Sequence, residues 1–128
     1  MNAEAAARRF IEAFNGRDLD TFVTTLTPDV AIHAMRGLRT GLDEARAWAT
    51  RAPGGVQQRI EVDDVRGDSD RAVALIRREW WWDEADGGSE LAGTDVMAWA
   101  FELSDGLISS WRSFEDRDEA LAWLAAAD

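Results

Sequence analysis

Hydrophobic and polar positions alternate with a period of two over the last third of the chain. From Thr94 to Asp116 the sequence reads TDVMAWAFELSDGLISSWRSFED. Met97, Trp99, Phe101 and Leu103 share one parity. Beyond Ser104-Asp105-Gly106, one parity holds Leu107, Ser109, Trp111 and Ser113, and the other holds Ile108, Ser110, Arg112 and Phe114. Alternating aromatic and β-branched residues broken by Asp-Gly predict two long strands joined by a tight turn. The large residues on the Met97–Leu103 face need a cover, which helices elsewhere in the chain must supply.

The first half of the chain changes to helical spacing. Ala3, Ala6, Ala7, Phe10, Ile11 and Phe14 form an apolar stripe, predicting a helix over Ala3 to Phe14 that Asn15-Gly16 stops. Asp18 caps a second helix over Leu19 to Leu26, ended by Thr27-Pro28-Asp29, because the residue before proline is pushed out of helical geometry. A short strand follows at Val30 to Met35, a glycine-containing turn at Arg36 to Gly41, and a third helix at Leu42 to Ala52. Pro53-Gly54-Gly55 breaks the chain. Strands are then expected at Val56 to Arg66 and Arg71 to Asp83. An acidic loop from Glu84 to Glu90 leads to the hairpin, and a last helix covers Asp118 to Ala126.

Strands linked by short turns imply a mainly antiparallel sheet, and helices gathered at the start imply one covered face. That is an α+β class, with three helices on a curved sheet and a short C-terminal helix. With no repeat and no linker, residues 1–128 read as one domain. A long twisted sheet wrapped over helices makes a cone with an apolar inside.

Composition narrows the chemistry. Cysteine is absent and His33 is the single histidine, so neither a thiolate site nor a multi-histidine metal site is expected, and no metal or cofactor. With 25 acidic against 14 basic residues the net charge is −11, which disfavours nucleic acid and anionic membranes as partners. MNAEAAARRF holds no continuous apolar core of a signal peptide, and no apolar run approaches a membrane span, so a cytoplasmic location is expected. Seven tryptophans and no tyrosine fit either core packing or an aromatic-lined cavity.

Three segments carry a family resemblance: FIEAFNGRDLDTFVTTLTPDV at Phe10 to Val30, GLRTGLDEARAW at Gly37 to Trp48, and DGLISSWRSFED at Asp105 to Asp116. Together they resemble the NTF2-like superfamily and, within it, the SnoaL-like branch. The resemblance implies a cone-shaped fold, commonly dimeric through the sheet, with a pocket between sheet and helices. Members include aldol-type cyclases, ketosteroid-isomerase-like enzymes, epoxide hydrolases, dehydratases and non-catalytic binding domains, so it implies a pocket without fixing a reaction.

His33 lies where ketosteroid-isomerase-like members place a carboxylate base, and an imidazole titrates near neutrality. A histidine at the pocket rim or in a core hydrogen bond is the plainer alternative. Asp95 shares the parity of Met97, Trp99 and Phe101. Against tryptophan its pKa is expected to rise by desolvation, making it an acid or base, whereas a strand-end aspartate in water would do neither. Asp116 follows Trp111 much as an acid–base aspartate follows a tryptophan in SnoaL-like cyclases, with the register between Glu115 and Asp116 open. The favoured reading of Asp116 is a cap for the last helix, with Glu119 completing a capping box. Arg77 and Glu79 on one strand face, or Arg78, could join Asp95 in the arrangement of the epoxide-hydrolase branch, although charged pairs on strands are usually solvated ladders.

Alternation sends Trp81 one way and Trp80 and Trp82 the other. Trp80, Met97, Trp99, Phe101 and Trp111 are the candidates for shaping a substrate pocket, with Phe14, Met35 and Trp48 as further lining candidates. Tryptophans left outside need cover, which argues for a homodimer through the sheet. The expectation is a protein that binds a small hydrophobic carbonyl or polyketide-like molecule. It is either a cofactor-independent acid–base isomerase, cyclase or dehydratase using His33 and Asp95, or a binding module whose cavity its own tryptophans fill. An epoxide-hydrolase-like enzyme is the third alternative.

Overall fold

The computed structural model describes residues 2–34, 37–50, 56–68, 70–83 and 89–126. Helix α1 (Ala3–Asn15) starts at Asn2, whose side-chain oxygen accepts the Ala5 N–H at 2.8 Å. Its stripe is buried as the spacing predicts, and Phe10 has no exposed surface. Helix α2 (Leu19–Thr24) is capped by Asp18 through the Thr21 N–H. It ends before the expected Leu26, because Thr25 leaves the helix and its carbonyl accepts the N–H of Ile108. Strand β1 (Leu26–Ala34) therefore takes in Thr27-Pro28-Asp29. Proline is tolerated there because the ladder is irregular between Leu26 and Ala31.

The stretch read as a turn contains a short edge strand, β2 (Gly37–Thr40), paired with β1. Gly37 opens it and Gly41 follows it at φ 125° and 95°, values that side chains rarely adopt. Helix α3 (Leu42–Ala49) ends three residues before the expected Ala52. Strands β3 (Val56–Gly67), β4 (Arg71–Asp83), β5 (Ser89–Ser104) and β6 (Leu107–Phe114) and helix α4 (Arg117–Ala125) complete the chain. Strand β5 starts earlier than Thr94 because β4 reaches far enough to pair Trp81 with Leu91. The β5–β6 turn holds Asp105 and Gly106 at φ 53° and 80°, the paired left-handed geometry that a two-residue hairpin needs.

Among the described residues six strands form one sheet in the order β2-β1-β6-β5-β4-β3. The β1–β6 pair is parallel and the rest are antiparallel, so the fold is α+β with a mixed sheet. The inner face presents Ile60, Ala74, Ile76, Met97, Trp99, Phe101 and Trp111 to α1, α2 and α3. The outer face carries Val73, Leu75, Ala98 and Ala100, which α4 covers with Ala120, Leu121, Trp123 and Leu124. Arg117 fastens that helix: its guanidinium donates to the carbonyls of Ile76 and Met97 and to Asp63 at 2.7 Å.

Candidate functional site

The inner face has an aromatic centre and a polar end. At the centre, α1 supplies Phe10 and Phe14, α2 Phe22, α3 Trp48, β5 Trp99 and Phe101, and β6 Trp111. Ring centroids lie 4.8 Å apart for Phe10 and Phe22, 5.4 Å for Phe14 and Trp99, and 4.5 Å for Trp48 and Trp111. Side chains of the chain itself thus fill the middle of the cone. Phe10 and Phe22 belong to this cluster beside the sequence candidates. Their helical stripes were legible as core but did not distinguish the ring cluster from ordinary packing.

The polar end lies on the same face. Cross-strand pairing sets Arg78 beside Asp95, one step along from Ile76 and Met97. The Asp95 carboxylate accepts Trp80 Nε1–H at 3.0 Å and an Arg78 N–H at 2.8 Å, both on the same oxygen. The Arg78 guanidinium also stacks 4.5 Å above the Trp80 ring. Asp95 is half exposed. Its pKa is lowered, first by the Trp80 hydrogen bond and then by Arg78, which together outweigh desolvation. The expected rise fails because the nearest tryptophan offers Asp95 its N–H rather than an apolar surface.

His33 is exposed on β1, on the parity opposite the buried Ile32, and pairs with Arg112 of β6 on the outer side. It does not meet Asp95. Asp116 caps α4, its carboxylate accepting the Asp118 N–H at 2.8 Å; the donor is not Glu119, as a capping box requires. Arg77 turns to the outer face and pairs with Asp63 at 3.0 Å, so of the two arginines Arg78 is the one facing Asp95. Met97 is buried as a floor between the aromatic centre and Asp95. Met35 lies outside the described residues. Among the described residues no group of three or more histidine, cysteine, aspartate or glutamate side chains could hold a metal ion. A surface groove between α1 and α2, lined by residues including Arg9, Glu12, Asp18 and Thr21, shares nothing with this site.

The sequence model of the SnoaL-like domain matches residues 7–111. The chain belongs to the SnoaL-like domain family. No functionally curated protein matches this SnoaL-like chain. Solved structures share its NTF2-like fold. A candidate polyketide cyclase of Pseudomonas putida superimposes with a TM-score of 0.75 at 18% identity, over 98% of this chain and 97% of that one. An LEH-like epoxide hydrolase of Mycobacterium tuberculosis gives 0.70 at 18% identity, over 96% and 84%. Another M. tuberculosis protein, in complex with estradiol-17β-hemisuccinate, gives 0.72 at 13% identity, over 91% and 95%. At these identities the likeness concerns the fold.

Proposed function

We propose that this SnoaL-like protein binds a small, largely apolar molecule on the inner face of its sheet. The molecule's apolar body lies towards Met97 and Trp99, and a polar end meets Asp95 and Arg78. The observation that carries the reading is the Arg78–Asp95–Trp80 cluster on the same sheet face as the aromatic centre. An ionised carboxylate only accepts hydrogen bonds and a guanidinium only donates them, so together they suit a hydroxyl or carbonyl group. The binding role is favoured over acid–base catalysis for two reasons. The lowered pKa of Asp95 moves it away from the near-neutral value that general-base work favours, and His33 faces the other way. The relative bound to a steroid ester supports the same ligand class by analogy.

A second reading rests on Arg78 facing Asp95 from inside. Such a pair can orient a water for attack on an epoxide, and an LEH-like epoxide hydrolase shares the fold. The proposal also includes a cytoplasmic location and a homodimer through the outer sheet face. There Val96 and Leu91 stay exposed beside Trp81. No helix among the described residues is long and apolar enough to cross a membrane.

Tryptophan fluorescence titrated with steroids, aromatic ketones and epoxides, followed by mass spectrometry of each ligand, tests the reading. Saturable quenching with unchanged mass is expected. Asp95→Asn should weaken hydroxyl-bearing ligands about fivefold, the scale of one partly exposed charged hydrogen bond, while His33→Gln changes nothing. Gain of one water by an epoxide would select the second reading. Binding that ignores both Asp95→Asn and Arg78→Met would overturn the site.

A further inference from the structure

Trp111 is only 4% exposed, and its indole Nε1–H has no hydrogen-bond partner among the described residues. Buried donors are nearly always paired, so an orphan on the margin of a ring cluster, where Trp111 meets only Trp48 and Trp99, calls for an explanation. The ring nearest Trp111 is Trp48, 4.5 Å away against 5.2 Å for Trp99. Trp48 also stands 6.1, 5.5, 6.4 and 5.9 Å from Phe10, Phe14, Phe22 and Trp99. It is thus the hub of the cluster, yet it is the one ring of the seven that is half-buried rather than buried. Its helix, α3, has eight residues and starts at Gly41 without a side-chain cap. A helix that short has little stability of its own and depends on packing.

We propose that Trp48 is a displaceable occupant of the ligand site. When it swings out, a slot the size of an indole opens against Phe10, Phe14, Phe22 and Trp99, with the Trp111 N–H as its polar contact. The ligand class follows from that lining. It is a planar, bicyclic aromatic molecule bearing one hydrogen-bond acceptor, such as an aryl ketone, whose oxygen accepts a hydrogen bond from the Trp111 N–H. This rests on the proposed binding of a small apolar molecule on the inner sheet face, but for a ligand with a single acceptor it places the polar contact at Trp111 instead of at Asp95 and Arg78. The closed state holds the site mostly shut, so the apparent affinity of the native chain is lowered by the fraction of open molecules.

Indanone and indane, alike in shape but differing by the carbonyl, are the probes. Trp48→Ala is expected to bind indanone about tenfold more tightly than the native chain does, since the competing ring is gone. It should prefer indanone over indane about fivefold, the scale of one buried neutral hydrogen bond, and adding Trp111→Phe should erase that preference. A folded Trp48→Ala that binds the two probes equally, or binds neither, would overturn the proposal. The native chain gives an independent reading should that variant not fold. In proton–nitrogen NMR spectra, indanone should shift the indole signals of both Trp48 and Trp111. A shift of Trp80 alone would overturn the displacement while keeping the polar-end binding reading. The absence of any indole shift at millimolar indanone would also overturn it, leaving the broader binding reading to the fluorescence panel.

Discussion

The indole N–H of Trp80 and the carboxylate of Asp95 lie on neighbouring strands and are joined by a 3.0 Å hydrogen bond. Arg78 adds a second donor to the same oxygen. The carboxylate is therefore held ionised by two neighbours, one neutral and one cationic, and both act most strongly on the charged form. Folded Asp95 has a pKa below its ordinary 3.8. The stability it contributes is fully present above that ordinary value and is lost as pH falls through the folded value.

Trp80→Phe keeps the ring and removes the N–H, the largest cause of the lowering. The Asp95 pKa should then rise towards 3.8, read by carbon NMR of the side-chain carboxyl. Chemical denaturation at descending pH should show the wild type losing stability more steeply in acid than Asp95→Asn. An unchanged titration in Trp80→Phe would leave Arg78 as the only source of the shift.

The aromatic centre sets a second expectation. Phe10 has no exposed surface and lies 4.8 Å from Phe22 and 5.1 Å from Phe101. Phe10→Ala removes a ring from a packed interior and should cost about 3–5 kcal/mol in urea unfolding. A loss below ~1 kcal/mol would mean that the cluster collapses readily onto the gap.

Much of this arrangement was legible along the chain. The parity of Met97, Trp99 and Phe101 placed the inner face, and Asp105-Gly106 placed the hairpin. The stripe of α1 placed its buried side. Three features were not legible, each for a physical reason. The parallel pairing of β1 with β6 depends on a contact between Thr25 and Ile108, far apart in sequence. The early start of β5 depends on how far β4 runs. The face occupied by His33 depends on the pairing of β1: alternation sets His33 opposite Val30, Ile32 and Ala34 but does not say which side meets the helices. The direction of the Asp95 pKa shift is not legible either, because sequence reveals that a tryptophan is near but not which edge it offers.

Helix α4 supplies a third expectation, because its first turn carries two attachments of different kinds. Asp116→Ala removes a cap on an exposed helix end and should cost about 1 kcal/mol. Arg117→Met removes the donors to the carbonyls of Ile76 and Met97 and the pairing with Asp63, and should cost more than the cap. Asp63 reports the same change independently. Its pKa is lowered chiefly by Arg117, so it should rise in Arg117→Met. Ligand titrations should be unaltered in Asp116→Ala; a large loss of binding there would give this aspartate more than a capping role.

The outer face provides the last test. Val96 is 58% and Leu91 46% exposed on the strand that also carries Asp95. Trp81 faces Leu91 across the ladder and Arg77 faces Val96. Covering this apolar strip with the same strip of a second copy would remove it from water, and a two-fold axis makes one surface serve both partners. Val96→Glu separates the folded chain from the assembly. In the single chain the new carboxylate lies opposite Arg77 and forms a cross-strand pair, so folding should be little affected. In a dimer it would be buried against its own copy and repelled. Sedimentation should therefore show a dimer for the wild type and a monomer for Val96→Glu, with unchanged circular dichroism. A wild type that sediments as a monomer, or a variant that remains dimeric, would exclude this face as the contact.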